Sequence, residues 1–112
     1  MDLRGIASHG TRCLAGYVAQ YRAGELNSKP APHVVRDEPM MALLDGDGGL
    51  GYLVATRAVE MVIRKVEENG IAVAATRYHG HVGSVGIYAR MALARSLVTF
   101  AFAGGRDWIL PA

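Results

Sequence analysis

With a single cysteine, Cys13, the chain cannot form an internal disulfide, and nothing in it calls for an oxidising compartment. No apolar stretch approaches the roughly 20 residues that a membrane-spanning helix needs; the most apolar runs, such as 96–103, are far shorter. The opening Met-Asp-Leu-Arg-Gly has no apolar signal-peptide core. These absences lead to the expectation of a soluble, unprocessed, cytoplasmic protein. An excess of one charge is also lacking. Twelve Lys plus Arg stand against ten Asp plus Glu, a net charge of +2, and the cations are scattered, which argues against nucleic acid while leaving acidic small molecules open. The 112 residues, 51% hydrophobic and 20% charged, are enough for one compact domain and too apolar for a disordered chain.

Several ligand motifs are missing as well. There is no CxxC and no HExxH, so zinc has no recognisable ligand set. His79 and His81 alternate, and on a strand both rings would face one way; a His-based metal module is therefore an alternative, with His9, His33 or Cys13 as further ligands, although no metal is expected. Asp45-Gly46-Asp47-Gly48-Gly49 begins like an EF-hand loop, but its twelfth position is Thr56 rather than a glutamate, which excludes calcium. Gly80, Gly83 and Gly86 follow an apolar run yet are spaced GxxGxxG, not the GxGxxG of a dinucleotide fingerprint.

What is present reads as an α/β chain. Leu14, Tyr17, Val18 and Tyr21 recur at helical spacing, predicting a helix over 11–26 with Gly24 near its end. Pro30 and Pro32 then break regular structure. Strands are predicted at about 33–37 and 40–44, paired as a hairpin around Glu38-Pro39. A second helix is predicted at about 51–68, with Tyr52, Ala55, Val59, Val62, Ile63 and Val66 as its apolar face and Asn69-Gly70 as its stop. The continuous apolar run at 71–76 predicts a strand covered on both faces. A helix at about 85–95 and a further buried strand at 97–103 complete a parallel strand-helix-strand crossover. With a core strand this close to Ala112, we expect a single incomplete domain of poor solubility or partly molten character.

Chemistry concentrates in two segments, Arg4-Gly5-Ile6-Ala7-Ser8-His9-Gly10 and Arg77-Tyr78-His79-Gly80-His81-Val82-Gly83-Ser84-Val85-Gly86. Each places histidine, which titrates near neutrality, beside glycines that let a ligand approach the backbone. A solitary loop histidine is ordinarily a solvated or locally hydrogen-bonded side chain; two such loops make a site hypothesis.

These segments resemble the NAD(P)-dependent malate/L-lactate dehydrogenases, a family that includes ureidoglycolate dehydrogenase. The stretches that carry the resemblance are residues 2–10, Gly16-Tyr17-Val18 with Arg22-Ala23-Gly24, residues 44–51 and residues 81–89, in matching order over about 2–103. The resemblance implies a non-classical, non-Rossmann NAD(P)-binding fold and hydride transfer between a nicotinamide cofactor, NAD or NADP, and a small 2-hydroxy or 2-oxo acid. It also implies that full-length members are homodimers. It assigns acid/base chemistry to His81 with His9 as second catalytic residue, substrate contact to Ser8, Arg4, Arg12 and Tyr17, and cofactor contact to His81 and Gly83. Cys13 stands where many relatives carry a carboxylate-clamping arginine, and Arg12 lies one position, about 100° of helix, away. The chain covers well under half of a typical member and reads as an N-terminal portion, expected to be inactive alone. A non-catalytic dimerising or docking domain is the alternative from another class.

Overall fold

A computed structural model describes residues 2–104. Three short 3-10 turns, Asp2–Arg4, Ala7–His9 and Thr11–Cys13, lead into helix α1 at Leu14–Arg22. Strands β1 (His33–Glu38) and β2 (Met41–Asp45) follow, then helix α2 (Gly51–Asn69), strand β3 (Val73–Arg77) and helix α3 (Gly86–Leu93).

The strands form one mixed α/β sheet in the order β1-β2-β3. β1 and β2 are the antiparallel hairpin expected around Pro39, with an irregularity between Val34 and Arg36. β2 and β3 are parallel, from Met41 opposite Val73 to Asp45 opposite Arg77, and α2 is the crossover between them. The parallel unit is therefore β2-α2-β3, not one built on 71–76 and 97–103. α2 stops where Gly70 takes a left-handed backbone at φ +80° and returns its N–H to the Val66 carbonyl at 2.8 Å.

The core lies between α2 and β2. Ala42, Leu44 and Val54 are wholly buried, Ala58 and Met61 nearly so, with Val34 and Ala74 packed around them. The buried seam of α2 is thus Gly51, Val54, Ala58 and Met61. The face predicted from Tyr52, Ala55, Val59, Val62, Ile63 and Val66 is only half-buried, so the helix sits about one residue, or 100°, from the expected orientation. Gly51 packs on the 79–82 loop, where a Cβ would lie 2.5 Å from Val82 Cγ1, and this close approach goes with the rotation that buries Val54, Ala58 and Met61. Lys65 continues the seam, its stem covered and its ammonium carried out to Asp37 Oδ1 and the Glu38 carbonyl, both at 2.5 Å.

Other expectations fail for related reasons. β3 is not covered on both faces: Ala74 and Thr76 are half-buried on the α2 side, while Ile71 and Val73 are 72% and 59% exposed. Residues 97–103 form no strand. Leu97, Thr99 and Ala101 are half-buried while Val98, Phe100 and Phe102 stand open, an alternation suited to a strand but with no ladder partner among the described residues. On α1, Leu14 and Val18 are exposed and only Tyr17 and Tyr21 are half-buried. Among the described residues no helix is long and apolar enough to cross a membrane.

Candidate active site

The two loops at the carboxyl ends of the parallel strands are tied to each other. The Gly46 N–H donates to the Arg77 carbonyl, Gly48 to Tyr78, Gly51 to His81 and, in return, Gly80 to Gly49, all at 2.8–3.1 Å. Below them Asp45 accepts from the Asp47 backbone N–H at 2.9 Å and from Arg77 Nε at 3.0 Å. Those two donors, the backbone amide first, hold its carboxyl below the usual range. The Asp45–Gly49 run is therefore a backbone splice that carries the 78–83 loop. Glycine is required here by close approach: a Cβ on Gly46 of the run would lie 2.6 Å from the His79 Cβ, and one on Gly51, at the start of α2, 2.5 Å from Val82 Cγ1.

The splice delivers His81 to the end of α2, where α1 and the amino-terminal turns meet it. Tyr17 Oη lies 2.6 Å from His81 Nδ1 and 3.1 Å from Tyr52 Oη. The His9 ring stacks on His81 with centroids 5.4 Å apart, and Ser8 Oγ shares a hydrogen bond of 2.8 Å with His9 Nδ1. Asp2 organises the first loop by accepting the Thr11 N–H at 2.9 Å, and that amide draws its carboxyl below the ordinary value; Gly10 packs directly on this carboxylate. Four residues named from three separate motifs, Ser8 and His9, Tyr17, and His81, are thus brought together.

Arg4 and Arg12 are exposed and make no hydrogen bond or salt bridge with the cluster among the described residues. Gly83 is buried at φ +73°, and a Cβ there would fall 2.6 Å from the Tyr52 ring, so its lack of a side chain is accounted for by tyrosine packing. His79 turns away from His81. Its ring bonds Thr76 Oγ1 and the Gly80 carbonyl, each at 2.8 Å, because 78–85 is a loop rather than a strand; the two rings do not share a face. No group of three or more His, Cys, Asp or Glu side chains that could hold a metal ion occurs among the described residues.

Tyr52 was not identifiable as a site residue from its place in a valine-rich stripe. The available signal was chemical: a tyrosine that packs among aliphatics still needs a partner for its hydroxyl. Electrostatics complete the site. Burial first, then the neighbouring His9, hold the His81 imidazole below the ordinary 6.5. Burial first, then the hydrogen bond with Tyr52, push the Tyr17 hydroxyl upward, so Tyr17 is a neutral phenol. Tyr88, pushed up to about 12 by burial, donates to the Val82 carbonyl at 2.6 Å and fixes the far side of the loop. The Nε2 edge of His81 makes no hydrogen bond among the described residues, leaving an exposed imidazole nitrogen able to exchange a proton.

Comparison with known proteins places the chain among dehydrogenases. The chain is 36% identical over 110 residues to the malate dehydrogenase of Pyrococcus horikoshii, covering 98% of this chain and 31% of that protein. It is 36% identical over 97 residues to the L-sulfolactate dehydrogenase of Methanocaldococcus jannaschii, covering 87% and 28%. The solved sulfolactate dehydrogenase of M. jannaschii superposes with a TM-score of 0.81 at 37% identity over 84% of this chain and 27% of that one. The chain therefore spans about three-tenths of the length of the curated relatives it matches. The malate/L-lactate dehydrogenase family profile matches residues 1–112, and the chain belongs to that family.

Proposed function

We propose that this chain is the proton-handling portion of an NAD(P)-dependent oxidoreductase acting on a small 2-hydroxy or 2-oxo acid of the malate, lactate or ureidoglycolate type. The observation that carries the reading is the meeting at His81 of Tyr17, bonded to its Nδ1, and of His9, stacked on its ring and itself bonded to Ser8, while the second nitrogen of His81 stays open. In oxidation, neutral His81 accepts the proton of the C2 hydroxyl at Nε2; in reduction it returns that proton to the developing alkoxide. Its lowered pKa favours the neutral base near pH 7, while a bound carboxylate would raise it and favour the acid form.

Ser8 and His9 contact the substrate. Arg4 and Arg12 are the candidate carboxylate partners, reaching it only when substrate draws them in. An exposed imidazole edge next to the Gly83 turn is compatible with a nicotinamide cofactor, and His81 and Gly83 are its proposed contacts. Bound NAD or NADP would supply the hydride acceptor. The same reading takes the whole protein to be a cytoplasmic homodimer with a non-Rossmann cofactor fold, and this chain to be inactive alone, since half a site loses the orientation that supplies much of the rate.

The test is a chimera in which this chain replaces the matching segment of the P. horikoshii malate dehydrogenase. It is assayed with malate, lactate, sulfolactate and ureidoglycolate and either cofactor. Turnover reduced at least 100-fold by His81→Gln supports the reading; a folded chimera whose turnover ignores that substitution refutes it.

A further inference from the structure

Tyr17 leaves its hydrogen a choice of two ends. Its oxygen is 2.6 Å from His81 Nδ1 and 3.1 Å from Tyr52 Oη, so the hydroxyl can point to either. If the proton of the substrate is handled at Nε2, the one ring nitrogen not already engaged, then Nδ1 has to carry a hydrogen throughout. A neutral imidazole has one N–H, and with that hydrogen on Nε2 it has no lone pair there with which to act as a base. Nδ1–H must then donate to Tyr17, and Tyr17 must send its own hydrogen elsewhere. Among the described residues the other side-chain oxygen hydrogen-bonded to Tyr17 Oη is that of Tyr52, and the Cys13 sulfur beside it is the weaker acceptor.

We propose that Tyr52 is a positioning residue: by accepting the Tyr17 hydroxyl hydrogen it turns Tyr17 into an acceptor for His81 Nδ1–H and fixes the tautomer in which Nε2 is the free base. The proposal rests on the reading of His81 given above. The same orientation serves both charge states. When Nε2 takes a proton, the imidazolium keeps its Nδ1–H bond to Tyr17, and Tyr17 keeps its bond to Tyr52, so no hydroxyl has to rotate during transfer.

The surrounding architecture holds the three groups together. Tyr52 lies in the first turn of α2, its ring edge-on to both Tyr17 and His81 with centroids 6.4 and 6.5 Å away, and Gly83 closes against it. The titratable groups that face His81 are His9 from the amino-terminal turns, Tyr17 from α1 and Tyr52 from α2, with Cys13 beside Tyr17 and Tyr88 of α3 beside Tyr52. None of these other than Tyr17 is hydrogen-bonded to a His81 ring nitrogen.

The experiment is long-range 1H–15N correlation NMR on the histidine rings of this chain, above the His81 pKa, in the wild type and in Tyr52→Phe. Neither cofactor nor substrate is present, so the outcome is independent of the chimera's turnover. The wild type is expected to carry the neutral proton on Nδ1. Tyr52→Phe keeps the ring packing but removes the oxygen acceptor, leaving Nδ1 as the strongest protein acceptor for Tyr17. It is expected to shift the Nδ1–H to Nε2–H ratio towards Nε2–H by roughly fivefold, the weight of about one hydrogen bond. A wild type found as Nε2–H overturns the proposal without recourse to any variant, as does an unchanged ratio in a folded Tyr52→Phe.

Discussion

Gly51→Ala tests whether the backbone splice between the two loops is what places His81. The added Cβ would lie 2.5 Å from Val82 Cγ1, 2.7 Å from the Gly80 carbonyl oxygen and 2.7 Å from His79 Nδ1. Ordinary contacts fall at about 3.5–4.0 Å, so the 79–82 loop has to withdraw by about 1 Å. The 2.6 Å bond between Tyr17 and His81 would then stretch beyond hydrogen-bonding range. Overpacking of this kind costs about 1–3 kcal/mol, and replacing a helical glycine returns at most roughly 0.5–1 kcal/mol, leaving a net loss of up to about 2.5 kcal/mol and centred at about 1 kcal/mol. Gly16→Ala in α1 is the matched control, because nothing lies within 4 Å of its Cβ position and it should gain the helix term alone. Urea unfolding followed by circular dichroism gives the stability, and carbon-detected ring signals of His81 give the geometry. A Gly51→Ala chain as stable as the control, with His81 signals unmoved, would refute the claim that close approach at Gly51 positions the imidazole.

Leu44→Ala, in the wholly buried centre of the sheet, is expected to lose about 2–5 kcal/mol in the same urea assay. His9→Gln removes the neighbouring ring that disfavours the charged form of His81 and should raise the His81 pKa, read by NMR titration; burial, the larger cause, keeps it from fully recovering 6.5. Because the folded His81 pKa lies below its unfolded value, the unfolded chain binds more protons in that interval. Stability is therefore present above about pH 6.5 and falls as pH drops through the folded value. A urea series from about pH 7.5 down to 5 should show the wild type losing stability relative to His81→Gln. Asp45, with its pKa also lowered, contributes stability that is lost only in stronger acid, and Asp45→Asn should flatten the unfolding profile below about pH 4.

Much of this architecture was legible from local chemistry. The proline pair, the Glu38-Pro39 turn and the Asn69-Gly70 stop bound β1, β2 and α2 within a residue or two, since punctuation of this kind acts through backbone dihedrals alone. The orientation of α2 was not legible, because two adjacent apolar stripes differ by one residue and only the partner sheet selects the one with Gly51 and Ala58. Val98, Phe100 and Phe102 have strand chemistry but a strand is a property of a pair, and no sequence window contains its partner. In the site, His81, His9, Ser8 and Tyr17 were recognisable by family resemblance. Tyr52 was not, since its role depends on a contact with a residue 35 positions away. The Asp45–Gly49 run offered no ligand chemistry, and its work turned out to be main-chain pairing with residues 77–81.

The bond between Tyr17 and His81 joins residues 64 apart, and α1, which contributes Tyr17, buries none of its own residues. Closing so long a loop is an entropic expense that local contacts do not repay. β2 and β3 must pair, and the 78–83 loop must be spliced, before α1 has anything to grip. Refolding watched at the strand amides and at the His81 ring should give two clocks, with the ring the slower. In the interval between them the chain would possess its sheet and lack its chemistry, so that the histidine signal reports the completion of folding itself.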